Sequence, residues 1–197
     1  MSSIDRRQFA AGILASSLSV AAQPPSGQPE HFIFSPNGWI PNNPHLPVLL
    51  YRSAFSPSPD PAALASAMER AFTATGWPPQ WRNGIYPFHH FHSTAHEILG
   101  IAAGEAHVTL GGPAPGGRDL TLRGGDVVAL PAGTGHCSLR SSPDLLVVGA
   151  YPAGQLWDIC RSAPTPDTLD RMAHLTFPAS DPVSGASGPL PTLWRKL

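Results

Sequence analysis

The stretch FHHFHSTAHEILG, Phe88 to Gly100, gathers four histidines and a glutamate in one short run. In an extended strand the side chains alternate between faces, so His90 and His92 share one face, about 7 Å apart at roughly 3.3 Å per residue. His89 and Phe91 then share the other. After the turn STAH, Glu97 opens the almost wholly apolar run EILGIAA. A carboxylate heading such a run is costly to bury unless it is paired or faces a cation. Alternation puts the neighbouring His96 on the opposite face, as a supporting or surface residue. An irregular turn there would exchange His96 and Glu97 as the fourth ligand of any ion.

The matching half lies downstream, in GGDVVALPAGTGHCSLR. An apolar strand from Val127 to Leu130 ends at Pro131 and glycines, and His136 begins the return strand. If the sheet closes into a barrel, His136 faces the same interior as His90 and His92. Three imidazoles and one carboxylate leave one or two octahedral positions open. Such a mixed nitrogen and oxygen set suits Fe(II), Mn, Ni, Co or Zn and admits water or substrate.

The surrounding sequence reads as short strands. The chain of 197 residues carries 24 prolines and 19 glycines, with 42% hydrophobic and 13% charged residues, a globular composition rich in turns. Strands are expected over 85–92, 97–103, 105–111, 119–123, 126–130, 136–140 and 145–151, separated by turns such as GGPAPGG, RGGD and PAGTG. That pattern indicates an all-β sandwich or barrel. The one clear helix lies in DPAALASAMERAFTATGW, with Asp60 as its cap, Pro61 at its first position and Leu64, Met68, Ala71 and Phe72 as an apolar stripe. Net charge is −1 with no basic run, which argues against a nucleic-acid partner. Lys196 is the only lysine, so a buried Schiff-base lysine is all but excluded. No serine nucleophile elbow, phosphate loop or nucleotide fingerprint competes with the histidine pattern.

The spacing Gly84-x5-His90-x-His92-x4-Glu97-x6-Gly104, with Gly125-x5-Pro131-x-Gly133-x2-His136, resembles the two conserved motifs of the cupin superfamily. GWIPNNPHLPVLLYR, WRNGIYPFHHFHSTAHEILG, VVGAYPAGQ and DPVSGASGPLPTLW extend the resemblance to the YjlB-like branch of small bacterial monocupins, over nearly the whole chain after residue 22. The resemblance implies a double-stranded β-helix, or jelly roll, with His90, His92, Glu97 and His136 as ligands of a divalent transition metal. It implies a homodimer by analogy with related folds, and it names no reaction. One position departs: where cupins often carry asparagine four residues after the last ligand, this chain has Arg140.

The expected organisation is an export signal over 1–22, an N-terminal extension with strands and one helix over 23–79, a cupin barrel over 80–155 and a covering segment over 156–197. In the first segment, Arg6 and Arg7 precede a short apolar stretch, with Phe9 two residues after the second arginine and small residues at Ala21 and Ala22. This resembles a twin-arginine signal, so the protein is expected in the periplasm or secreted, without a stable membrane span once the signal is removed. Cys137 and Cys160 would then enter an oxidising compartment, as a disulfide or as two buried thiols.

Parity on the strand after His136 aligns Ser138 and Arg140 with it, so Arg140 is a candidate for holding an anionic substrate or acting on metal-bound water. Pairing of Arg140 with Asp144 is the plainer alternative. His107, sharing a face with Thr109, is a second candidate for a cavity role. Trp77 and Trp81 either cover the barrel mouth or pack beneath the helix. His89 is expected to bond outside the barrel, and His31, His45 and His174 to face solvent. The functional expectation is a metal-dependent oxygenase or isomerase acting on a small polar or anionic molecule. A non-catalytic cupin binding a small sugar or organic acid, and a cupin with a purely structural metal, are the alternatives.

Overall fold

The computed structural model describes residues 28–194, so the expected export signal lies outside the described residues. The strands, in chain order, are β1 (Glu30–Phe32), β2 (Val48–Tyr51), β3 (Pro79–Asn83), β4 (Glu97–Ala103), β5 (Glu105–Leu110), β6 (Arg118–Arg123), β7 (Val127–Leu130), β8 (His136–Ser141) and β9 (Leu146–Ala150). The helices are α1 (Pro61–Ala74), α2 (Pro166–Ala173) and α3 (Leu190–Leu193). Antiparallel pairing gives a six-stranded sheet ordered β1-β2-β7-β4-β9-β3, facing a three-stranded sheet ordered β6-β5-β8. The fold is an all-β jelly roll.

Residues from the expected N-terminal extension are built into the larger sheet rather than appended to it. β2 pairs with β7, and β1 with β2, because VLLY is apolar at every position and is buried throughout. A strand buried on both faces needs such a continuous apolar run. On the inner face, Leu50, Leu99, Ile101, Val128 and Val147 pack against Val108, Leu110 and Leu122 of the smaller sheet. On the outer face, Leu49, Ile98, Ala102, Val127 and Val148 pack beneath Leu64, Met68 and Phe72 of α1.

The helix forms as its sequence dictates. Asp60 accepts hydrogen bonds from the backbone N–H groups of Ala62 (3.0 Å) and Ala63 (3.1 Å), and Pro61 starts the first turn. Arg82, on β3, donates to Glu69 at 2.7 and 2.6 Å and to Ser66 at 2.9 Å, tying the edge strand to the exposed side of α1.

The segment expected as a strand over 85–92 is mostly irregular. Only His90 and Phe91 make bridge pairs, with His136 and Cys160, because the regular edge strand has already formed at 79–83 and Pro87 lacks the donor a ladder needs. The tail covers the outer core. Leu190 and Trp194 join it, and the Trp194 indole N–H donates to the Pro47 carbonyl at 2.8 Å. Cys137 and Cys160 are both free thiols.

One buried carboxylate organises this tail. Asp181 is fully buried and accepts hydrogen bonds from the backbone of Val183 (2.8 Å), Ser184 (2.9 Å) and Leu190 (3.1 Å) and from the Tyr51 hydroxyl (2.5 Å). Burial and the adjacent carboxylate push the Tyr51 phenol far above its ordinary pKa, so it remains a donor. Removing that donor leaves part of a buried charge without its partner. Tyr51→Phe is therefore expected to destabilise the fold by about 1.5–3 kcal/mol, read as a lower urea midpoint at an unchanged m-value.

Candidate metal centre

The odd residues of β4 and β9 face the space between the sheets. Glu97, Leu99 and Ile101 therefore share one side of β4, while His96 and Ile98 point to the other. Gly149 and Tyr151 continue that inner side along β9. His90 and His136 are brought opposite one another by reciprocal backbone hydrogen bonds, His90 N to His136 O at 3.2 Å and His136 N to His90 O at 2.9 Å. The turn before His136 is clamped onto the first histidine run as well, since Gly133 N donates to His92 O at 2.8 Å. Gly133 adopts φ +90, and a Cβ there would sit 2.8 Å from the Asn42 carbonyl oxygen, so a side chain at this turn is excluded.

These constraints gather three imidazoles. His90, His92 and His136 each offer a ring nitrogen, all within 4.8 Å of one another and all buried. Their outer nitrogens are committed to the backbone: Nδ1 of His90 donates to Phe88 O (3.1 Å), that of His136 to Thr134 O (3.1 Å), and that of His92 to Asp158 O. A carbonyl can only accept, so each Nδ1 carries the proton and each Nε2 keeps its lone pair for the interior.

Glu97 completes the floor. It is 2% exposed, with Oε1 3.3 Å from His92 Nε2 and Oε2 3.2 Å from His136 Nε2. The Tyr151 hydroxyl donates to Oε1 at 2.7 Å, and the Trp81 indole N–H donates to the Tyr151 oxygen at 2.8 Å. Glu97 Oε2 and His92 Nε2 remain buried without a well-aligned hydrogen bond. Two buried acceptor atoms without partners, one on the carboxylate and one on an imidazole of the same cluster, fit a shared cation. For a bond length of about 2.1 Å, donors at right angles on one ion lie about 3.0 Å apart, and opposed donors about 4.2 Å. The two carboxylate–imidazole separations, 3.3 and 3.2 Å, lie near the first of those values.

Burial alone would raise the Glu97 carboxyl, but His92 and His136 hold it well below the ordinary carboxylate range. Burial lowers His92, yet Glu97 and the Asp158 carbonyl more than offset that and raise it. Burial, reinforced by His136, drives His90 down to about 3. The centre thus holds an ionised carboxylate beside a neutral His90, and ligation of an ion would require the neutral form of the other imidazoles as well.

Above this floor is a cavity of about 380 Å³, walled by Trp81, Ile85, Tyr86, Leu99 and Trp157. Trp157 lies 5.9 Å from His92 and 5.9 Å from Tyr151, ring centre to ring centre. Gly149 makes room for Trp81, its cross-strand partner, because a Cβ there would come within 1.9 Å of the indole.

The other candidates fall elsewhere. Leu139 is an extra residue on β8: Ser138 pairs with Val108 but Arg140 pairs with His107, so the bulge inverts the parity that aligned Arg140 with His136. Arg140 and His107 accordingly meet on the outer face of the small sheet, with Nη2 2.9 Å from His107 Nε2. Glu105 and Thr121 hold the same imidazole at 2.9 and 3.1 Å. Neither residue reaches the cavity. Trp77 packs in the outer core, while Trp81 lines the cavity. His31, His45 and His174 are exposed. His89 is half-buried outside the centre, and burial lowers its pKa. Tyr151, Trp157 and the Asp158 carbonyl were not singled out from sequence. Strand parity along β9 could have found Tyr151, but Trp157 and Asp158 sit in an irregular segment without a periodic signal.

His96 turns away from the centre, as alternation predicts, but it is buried rather than at the surface. Its Nδ1 accepts from Ala132 N at 3.0 Å, and its ring lies 4.9 Å from that of Trp194. Burial lowers its pKa from 6.5 to about 3, so the fold keeps it neutral. Unfolding lets it take up a proton, and its contribution to stability is complete above about pH 6.5 and lost as pH falls toward 3. In metal-free protein, His96→Phe is expected to cost about 1–3 kcal/mol at pH 8, where Ala132 N loses its acceptor. Between pH 6 and 4 the same variant should show a stability slope shallower by about 1.4 kcal/mol per pH unit, measured by denaturant titration.

No family model matches the chain. The uncharacterized protein YjlB of Bacillus subtilis (strain 168) is 35% identical over 167 residues, covering 84% of this chain and 96% of that protein. Among solved structures, oxalate decarboxylase from Bacillus subtilis is 18% identical, with 69% of this chain and 33% of that one aligned at a TM-score of 0.34. The 11S globulin of Wrightia tinctoria, whose structure reveals an auxin binding site, is also 18% identical, with 48% and 27% covered at a TM-score of 0.34. The chain spans about a third or less of those two solved chains.

Proposed function

The chain belongs to the YjlB-like branch of the cupins, and on that premise we propose that it is a metal-dependent enzyme, of oxygenase or isomerase type, acting on a small polar or anionic molecule. The observation that carries this reading is the convergence of three Nε2 lone pairs, each fixed by an Nδ1–H bond to a backbone carbonyl, beside a buried glutamate. His90, His92 and His136 are the proposed ligands, with Glu97 as the fourth through its free Oε2.

A divalent transition ion held there supplies Lewis acidity, or activates oxygen where the metal is redox-active. The chain's own part is positional. Tyr151 holds Glu97 by Oε1 and so leaves Oε2 beside His136, and Trp81 in turn orients the Tyr151 hydroxyl. Leu99 and Trp157 line the space above the ligands with apolar surface. Arg140 and His107 have no part in this chemistry, since they lie on the outer face of the small sheet.

An open cavity above the ligands favours chemistry or ligand capture over a structural metal, whose coordination is ordinarily closed by protein. A non-catalytic binding protein is the alternative reading: it predicts ligand affinity without turnover. No helix among the described residues is long and apolar enough to cross a membrane. Arg6, Arg7 and Phe9 support export by a twin-arginine route to the periplasm or beyond, with the metal loaded before transport.

Protein purified without added metal is expected to carry about one equivalent of a transition metal by elemental analysis. His92→Ala should reduce that occupancy at least about tenfold and lower the melting temperature. Folded wild-type protein that carries no transition metal where the metals are available contradicts the proposal.

A further inference from the structure

The cavity concentrates its polar chemistry at one point. Beyond the floor, its walls present two indoles, a phenol edge and aliphatic groups from Trp81, Trp157, Tyr86, Ile85, Pro87 and Leu99. Among the described residues no lysine or arginine lines it. Arg140 is on the outer face, and Arg161 lies instead over the ring of Phe88, 4.0 Å from its centre. Three wall hydrogen-bonding groups are engaged: Trp81 donates to Tyr151, Tyr151 donates to Glu97, and Asn83 Oδ1 accepts from Gly84 N at 2.8 Å.

We propose that the cavity selects a ring-bearing molecule with a single anionic oxygen head, a monocarboxylate or phenolate seated at the His90–His92–His136–Glu97 floor with its ring between the aromatic walls. The proposal rests on the metal reading above for the head, and on the walls alone for the ring. A divalent ion with three neutral imidazoles and one carboxylate carries one net positive charge, which one anionic head neutralises. A dianion would bring a second charge into a cavity where no cationic side chain among the described residues meets it. A polyol would lose water from several hydroxyls against walls made mostly of aromatic and aliphatic surface. A flat ring, by contrast, gains contact with indole faces at little conformational cost.

The test is ligand affinity, measured by calorimetry and tryptophan fluorescence on protein loaded with Zn(II), which is redox-silent. Benzoate should bind at least about tenfold more tightly than oxalate or glucose. Trp157→Ala should weaken benzoate about tenfold and Trp157→Phe should restore most of that loss, with zinc stoichiometry unchanged in both. Tyr86→Ala, at the exposed mouth, should weaken benzoate in the same direction. Oxalate or glucose binding as tightly as benzoate, or benzoate affinity indifferent to Trp157→Ala, overturns the proposal. If wild-type protein retains no zinc, the metal reading fails separately. The walls are then decided by benzyl alcohol on metal-free protein: saturable binding that Trp157→Ala removes supports the ring site, and its absence overturns it.

Discussion

A carboxylate that is 2% exposed stands at the head of a strand whose other residues are apolar, and the architecture around it answers that cost. Glu97 cannot remain ionised in such an interior without positive charge or donors facing it. Tyr151 meets one oxygen, and His92 and His136 stand within 3.3 and 3.2 Å of the carboxylate. Those two histidines and His90 are held by bonds to the backbone of three separate segments, around Phe88–His92, Gly133–Thr134 and Asp158. The site is therefore fixed by imidazole bonds to main-chain carbonyls together with the Trp81–Tyr151–Glu97 relay of side-chain bonds.

β4 is the axis of this arrangement. Its inner residues run from Glu97 through Leu99 to Ile101, passing from the centre into the apolar core, while its outer residues form the floor for α1 and the tail. The two faces meet at adjacent positions, since His96 anchors the outer core beside Trp194 and Glu97 anchors the centre. The tail contributes through Asp181 and Trp194 to the outer core, and the loop after β9 contributes Trp157 to the cavity. A fold whose inner cavity is open needs its second face fully covered, and the long C-terminal segment supplies that cover.

Much of this was legible in the sequence because it obeys simple periodicities. Two motifs at fixed spacing brought His90, His92, Glu97 and His136 to notice, and strand alternation separated Glu97 from His96. The capping signal of Asp60 and Pro61 located α1. What escaped is what breaks periodicity. The bulge at Leu139 turned Arg140 outward, and only the register with β5 reveals it. The irregular run before His90 hid the edge strand at 79–83. Trp157 and Asp158 come from a segment without a repeat, where position is dictated by tertiary contacts alone.

The central claim is that three imidazole Nε2 atoms and the Glu97 carboxylate hold one ion. X-ray absorption at the edge of the metal found in the purified protein reads that shell directly. The account predicts three imidazole nitrogens and one or more oxygens at about 2.0–2.2 Å, with no sulfur. A shell with sulfur scatterers, or with fewer than two imidazoles, would contradict it.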